Sequence, residues 1–347
     1  MELIKRGINI DFIGKRYIAF AISGLLIIIG IISLIARGGP QYGIDFAGGT
    51  LIQLKFSSPV EIGKIKSGLS AINLSNSSVQ LFGEEKDNEF LVRTNTPVMA
   101  NKEFSQSLGE SLKTATGNDA EIRRIEMVGP QVGKDLQEKA LFAIFYSLLF
   151  ISIYISGRFE FKWVLSGITA ALLMGSVYFL SLLKINMAIL IVAALMVTFI
   201  IFWRLNLKYA MAAIVALAHD VMITVGMFSI FDKEFSLPIV AAILTIIGYS
   251  LNDTIIVFDR IRENLKKHIK SPFIVVINRS VNETLSRTIL TSGTTLLVVT
   301  ALFILGGGII HDFAFALLVG ISVGTYSSVY VASPILIAWQ EKNKKRR

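Results

Sequence analysis

Three residues of this sequence could do chemistry where chemistry is least welcome. Asp253 stands in "IIGYSLNDTIIVFDRIREN", residues 246–264, six positions before Asp259 and inside a run that otherwise reads as a membrane-spanning helix. At 1.5 Å per residue it lies about 9 Å from the charged end of that helix. A carboxylate in hydrocarbon costs about 3 kcal/mol on insertion scales, so its retention calls for a reason. Arg287 opens the next apolar run, in "LSRTILTSGTT". With Thr291 and Thr294 it recurs at i, i+4 and i+7, which makes one helix face polar, and Ser250 and Asp253 likewise share a face. Lipid offers such stripes no partners, so both are expected to point into a helix bundle, with Asn252 and Thr254 beside the carboxylate as supporting polar groups. Burial disfavours a carboxylate's charge and a nearby cation favours it, so such a pair can be poised to exchange protons near neutral pH. Asp220, in "AHD" with His219, lies twelve positions beyond Lys208, about 18 Å into its span and near the bilayer middle. The plainer readings are a structural ion pair for Asp253 and Arg287, a packing residue for Asp220, and a snorkelling cation for Arg287. Side chains lean toward their own helix N-terminus, so contact between Asp253 and Arg287 does not follow from spacing.

The elements that must hold these residues are apolar helices. The chain has 347 residues, 53% hydrophobic and 17% charged, with mean hydropathy +0.63, a polytopic membrane composition. It has no cysteine, which excludes disulfides, thiolate metal sites and Cys nucleophiles, and three histidines are too few for a His-rich metal site. The net charge of +9 falls between apolar segments, the placement of a protein surrounded by membrane lipid and not of one binding nucleic acid. Eight stretches are long enough to span or nearly so: 17–36, 140–156, 163–183, 186–203, 209–230, 238–258, 286–306 and 312–339. The first is too long for a signal-peptide core and reads as a retained anchor. Lys and Arg crowd residues 1–16, the turns at Arg158–Lys162 and Arg204–Lys208, the loop 259–285 and the basic tail 340–347. Lys184 and Lys233 stand almost alone opposite. Both termini are therefore expected in the cytoplasm, and residues 37–139 outside.

That outer segment has soluble composition. "LIQLKF", "SVQLF", "EFLVRTN" and "AEIRRIEMVG" read as strands, and "VEIGKIKSGLSAI" and "NKEFSQSLGESLKTAT" as amphipathic helices. The order β-α-β-β-α-β is that of a ferredoxin-like α+β domain. No Walker A motif, dinucleotide fingerprint or zinc spacing occurs, so neither a cofactor, a metal nor an enzymatic activity is expected. "GIDFAGGT", with Gly43, Asp45, Gly48 and Gly49, joins the first span to this domain. It is either a tight turn or a hinge that carries motion between membrane and domain.

The bundle, 140–339, contains an apparent duplication. "GRFEFKWVLSGITAAL" from Gly157 echoes "WRLNLKYAMAAIVALA" from Trp203 at an offset of 46, so 140–183 and 186–230 read as two helical hairpins with basic turns. Convergence on a common hairpin pattern is the alternative.

Taken in order, "GIDFAGGT", "AHDV", "IGYSLNDTIIVFDRIREN" and "SRTILTSGTTLLVV" make the chain resemble, over nearly its whole length, the SecD/SecF family of protein-export membrane proteins, which are themselves similar to proton-driven resistance–nodulation–division transporters. The resemblance implies a multi-pass protein of the bacterial cytoplasmic (inner) membrane. It implies a SecD-like subunit, the Sec translocation channel and translocating preproteins as partners, and use of the proton motive force in late translocation. It places the family's intramembrane aspartate on Asp253, its arginine on Arg287, and the aspartate of its "HD" motif on Asp220, so that these three are expected to form a proton relay. It also implies six spans, so the hairpin 163–203 is an extra pair, and an even number preserves the topology. A proton-coupled exporter of small molecules or lipids is the principal rival; it would need two large external loops where this chain has one. An intramembrane aspartyl protease built on Asp220 and Asp253, and a structural scaffold, are further rivals.

Overall fold

The computed structural model describes residues 9–82, 85–98, 101–183 and 187–345. The first eight residues, Lys184, Asn186 at the start of the fourth apolar stretch, and the last two residues of the basic tail lie outside the described residues. The first helix, α1, runs Arg16–Ala36; a short turn of helix, α2, spans Ile44–Ala47. There follow β1 (Gly49–Phe56), α3 (Ile62–Ala71), β2 (Ser78–Leu81), β3 (Glu89–Thr94), α4 (Lys102–Thr116) and β4 (Ala120–Val128). The chain then enters the bundle with α5 (Pro130–Glu160), α6 (Trp163–Ser181), α7 (Met187–Arg204), α8 (Lys208–Ile230), α9 (Leu237–Lys267), α10 (Phe273–Leu305), α11 (Gly308–Ser327) and α12 (Ser333–Lys345). A π-helical turn, Ser328–Ala332, makes α11 and α12 one continuous rod. Seven of the described helices are long and apolar enough to cross a membrane, and α7 is a shorter apolar helix.

The outer domain is ferredoxin-like. Its sheet has the order β2-β3-β1-β4 with every neighbour antiparallel, which is what a β-hairpin inserted into a split βαβ unit must give. The alternation of β1 and β3 sends Ile52, Leu54, Phe56, Phe90 and Val92 to one face. Ile65 and Leu69 of α3 and Leu108 and Leu112 of α4 cover that face, all fully buried. Asn101 caps α4 by accepting from the Phe104 N–H at 2.8 Å, and Gly117 ends the helix in the left-handed region. A bulge where Gln53 gives way to Leu54 takes up one extra residue of β4.

In the bundle α8 and α9 are central, while α1, α6, α7 and α10 present apolar faces outward. α1 lies on α8 in parallel. Gly30 and Gly226 meet so closely that a Cβ on either would stand 2.9 Å from the other's Cα. One turn away the Ser33 and Ser229 hydroxyls are 2.8 Å apart. Small residues are what allow two apolar helices to approach without a hydrophobic driving force. At the basic end, the two hairpin turns dock side by side. Lys162 Nζ donates to the Leu205 carbonyl at 2.8 Å, and Glu160 accepts from the Tyr209 N–H at 2.9 Å at the start of α8. Phe161 and Asn206 are the left-handed residues of these turns, spaced 45 apart where the sequence echo gives 46. The α6–α7 hairpin packs on α5 through its own cluster of Phe145, Leu149, Ala170, Leu173, Leu190 and Ala194.

The outer domain's burial of Leu69 generates a test. Residues 49–129 expressed alone are expected to unfold in a single cooperative step with mixed helix and strand signal by circular dichroism. Leu69→Ala should cost about 2–5 kcal/mol, the range for a deleted core leucine. A random-coil spectrum for the parent domain would reject its autonomy.

Candidate functional site

Asp253 is 1% exposed. It sits in α9, and its Oδ2 accepts from the Ser292 hydroxyl of α10 at 3.2 Å. Ser292 in turn accepts from Thr325 of α11 at 2.7 Å. Oδ1 has no hydrogen-bond partner among the described residues, as is also true of the buried Thr288 hydroxyl. Arg287 forms no ion pair or hydrogen bond with a described residue and lies exposed on α10. Thr294 is exposed beside it and Thr291 half-buried; Thr294 donates to backbone carbonyls of its own helix. The structure therefore turns α10 by one residue relative to the sequence expectation. The face toward Asp253 carries Thr288, Ser292 and Thr295, and the face carrying Arg287, Thr291 and Thr294 looks out of this chain. Asn252 is exposed and Thr254 buried, so they flank the carboxylate on different sides.

One turn along α9, Ser250 donates to Oδ2 of Asp220 at 2.6 Å. Asp220 is equally buried, at 1% exposure. Ser327 of α11 donates to the same oxygen at 2.8 Å, and Oδ1 meets His219 Nδ1 at 2.9 Å. His219 Nε2 lies 2.9 Å from the Ser23 hydroxyl of α1, which donates to Tyr326 of α11 at 3.2 Å. Tyr326 donates to the Ala19 carbonyl at 2.7 Å. Gly324 makes room for this assembly; a Cβ there would stand 2.8 Å from Ser250 Cβ and 3.4 Å from Asp220 Oδ2. The two carboxylates thus occupy separate nests, linked by consecutive turns of α9 and by residues 325–327 of α11. Of the polar groups in them, the sequence singled out Asp253 and Asp220 but not Ser292, Thr325, Ser23, Tyr326 or Ser327. Their only signal was a hydroxyl at helical spacing from the carboxylates' partners.

The "GIDFAGGT" motif lies at the other end of α9. Gly48 and Gly49 have φ of +73° and +117°, the left-handed region that glycine tolerates. They are also pinned: a Cβ on Gly49 would fall 2.3 Å from the Thr94 carbonyl oxygen, and one on Gly48 would fall 2.8 Å from Pro130 Cα. Gly43, at φ −65°, donates to the Phe235 carbonyl at 2.8 Å. Asp45 accepts from the Leu237 N–H at 2.8 Å, capping α9 from another part of the chain where Ser236 makes no side-chain cap. The α8–α9 loop is held further by Arg93 of β3, which pairs with Glu234, and by Arg37 and Gln41, which bond Asp232. Burial pulls the Arg93 guanidinium down to about 10, against the opposing pull of Asp45. The motif is a packed joint that ties α1, the outer domain, α5 and α9 together. Among the described residues no three His, Asp or Glu side chains gather as a metal site would require.

Comparisons agree on one family. The family described as "Protein export membrane protein SecD/SecF, C-terminal" matches residues 108–199 and 181–342, and the "SecD/SecF GG Motif" matches residues 32–60. A relative named protein translocase subunit SecF, from Desulfurispirillum indicum, is 44% identical over 341 residues, covering 96% of this chain and 92% of its own. The protein of the same name from Escherichia coli O157:H7 is 35% identical, covering 94% of this chain and 87% of its own. The crystal structure of SecDF, a translocon-associated membrane protein from Thermus thermophilus, superposes with a TM-score of 0.71 at 32% identity. It covers 96% of this chain, which spans 39% of that longer one.

The close fit at Gly324 predicts a stability effect confined to the buried network. Gly324→Val should lower the thermal midpoint of the purified protein in detergent by the equivalent of about 1–3 kcal/mol, the usual cost of overpacking. Gly167→Ala in α6, where nothing outside the helix's own backbone lies within 4 Å of the added methyl, should not lower it and should raise it slightly, since alanine favours a helix over glycine.

Proposed function

The chain belongs to the SecD/SecF family of protein-export membrane proteins, and from that premise we propose that it is a SecF-type translocase subunit driven by protonation of Asp253. It works as a multi-pass membrane protein beside a SecD-like subunit, with the translocation channel and emerging preproteins as its further partners. The observation that carries the proton reading is the state of Asp253. It is buried in the bundle; among the described residues one of its oxygens has no hydrogen-bond partner and the other takes only a hydroxyl. A carboxylate so poorly compensated gains by taking up a proton, and each charge moved across the membrane potential is worth about 2.3 kcal/mol per 100 mV.

Arg287 acts from the outward face of α10. With Thr291 and Thr294 it offers the polar stripe that a SecD-like neighbour would cover, since lipid cannot satisfy it. In the assembled complex this brings the cation into a protein interior beside the carboxylate's helix. Both termini lie in the cytoplasm. The parallel run of α1 and α8 supports this, because it puts Arg16 and Lys208, their first residues, on one side of the membrane. The two family segments overlapping at residues 181–199 support reading the two hairpins as copies of one unit. The outer domain moves with α9. Its joint caps that helix through Asp45, and its β3 grips the loop before it through Arg93 and Glu234.

Asp253→Asn keeps the size and hydrogen bonding of the side chain and removes its titration. The complex should assemble at normal abundance yet lose gradient-driven release of preprotein from vesicles, and Asp253→Asn with Arg287→Met should not restore it. Full release by the single variant would falsify the proton role. Arg93→Met tests the transmission. It leaves Glu234 half-buried and unpaired, at a cost of about 1–3 kcal/mol between the exposed and buried limits. Release should fall with no change in the amount of SecD-like subunit that co-purifies, whereas unchanged release would place the coupling elsewhere.

A further inference from the structure

The hydrogen bonds around His219 leave little freedom in where protons sit. The chain of contacts ends on the Ala19 backbone carbonyl, which can only accept. Tyr326 therefore spends its single proton on Ala19 and must accept from Ser23. Ser23 in turn has spent its own proton and must accept from His219, so Nε2 carries a hydrogen. That leaves the 2.9 Å contact between His219 Nδ1 and Asp220 Oδ1. With no proton in it, two lone pairs would face each other in a dry interior. With one, it is a hydrogen bond whichever atom holds the proton.

From this we propose that His219 and Asp220 form a second proton-holding site at mid-membrane, one proton shared between Nδ1 and Oδ1, mechanically tied to the Asp253 site. The charged and hydrogen-bonding groups that face it come from every helix packed on it. Ser23 comes from α1, Ser250 from α9, and Tyr326 and Ser327 from α11; Thr224 of α8 donates to the Asp220 carbonyl. No lysine or arginine stands among them. Removing the shared proton sets Nδ1 against Oδ1 and pushes His219 from Asp220, which loosens α1 at Ser23 and α11 at Tyr326. Ser250 and Ser327 still hold Asp220, so the displacement passes into the α9 turn that bears Asp253 and the α11 turn whose Thr325 holds Ser292. The reverse also follows, since coupling between sites is reciprocal. The functional part of this proposal rests on the proton reading of Asp253; the placement of the protons does not.

The chain has three histidines, His219, His268 and His311, so nitrogen-15 NMR of the purified protein with labelled histidine can be assigned by the signals lost in His219→Gln. At neutral pH the His219 Nε2 should give the signal of a protonated nitrogen, and the Nδ1 signal should shift in Asp220→Asn. A bare Nε2, or an Nδ1 indifferent to Asp220→Asn, overturns the shared-proton site outright, with no dependence on transport. The second arm is preprotein release from vesicles. His219→Gln can still donate to Ser23 but does not titrate, and release should fall at least tenfold with normal co-purification of the SecD-like subunit. Full release by His219→Gln when Asp253→Asn is inactive overturns the second site and leaves the first standing. Full release by both removes the proton reading as a whole, and with it the coupling proposed here.

Discussion

Everything in the bundle depends on how a carboxylate is kept at the centre of a membrane. Asp220 meets that requirement by drawing a polar group from each helix around it. Hydroxyls arrive from α9 and α11, and an imidazole arrives on α8 with its far nitrogen held by α1. Each contact fixes a rotation. α1 must show Ser23 to α8, which sets Gly30 against Gly226 and Ser33 against Ser229, and these pairs share one separation of 196 residues with Ser23 and His219. α11 must put Ser327 on Asp220, so Gly324 must be a glycine and Thr325 must face α10. The apolar packing then fills a register that polar groups have already chosen. This is the division of labour expected where lipid and protein interior are equally apolar and burial alone cannot pick a rotation.

Asp253 is the contrasting case. It lies one helical turn from Ser250, yet among the described residues its nest is incomplete: one serine, and an oxygen with no hydrogen-bond partner. The difference between the two aspartates is a difference in the number of polar groups brought to bear: two hydroxyls and an imidazole on Asp220, one hydroxyl on Asp253.

Much of this was legible in the sequence, for identifiable reasons. The ferredoxin-like order could be read because strands with period two and helices with period near 3.6 alternate cleanly between turn residues. The eight apolar stretches could be read from length and composition. The rotation of α10 could not. Residues 287, 291 and 294 and residues 288, 292 and 295 are both polar at i, i+4 and i+7, and a hundred degrees of helix separates them. Arginine drew the expectation to the first stripe, but a charged group is the one most costly to bury without a partner, and within a single chain it faces out. Spacing also could not reveal that Asp45 caps α9, because the cap comes from nearly two hundred residues away. The glycine pair was read correctly as a demand for unusual backbone. Its surroundings, Pro130 on one side and Thr94 on the other, pack closely against both glycines, and only tertiary contact could reveal that.

A closely packed joint bears on the proton reading proposed for the membrane site. If the linker were loose, rearrangement at Asp253 would dissipate in the turn before β1. With Asp45 bonded to the first turn of α9, and Glu234 of the preceding loop paired to β3, a tilt of α9 must carry the sheet with it or break a half-buried ion pair. A second contact acts in the same sense. Phe82, after β2, sits against Gly308 at the turn between α10 and α11, where any side chain would collide with its ring. The two helices that nest Asp253 with α9 thus end beneath the same domain. The α6–α7 hairpin takes no part in either contact. It packs on α5 through its own apolar cluster and on the main bundle through Phe202 and through Trp203, whose ring meets Trp339 of α12 at 4.7 Å. It gives no hydrogen bond to either nest among the described residues, and the contacts that join the carboxylates' helices to the outer domain are made by α9, the loop before it and the turn between α10 and α11.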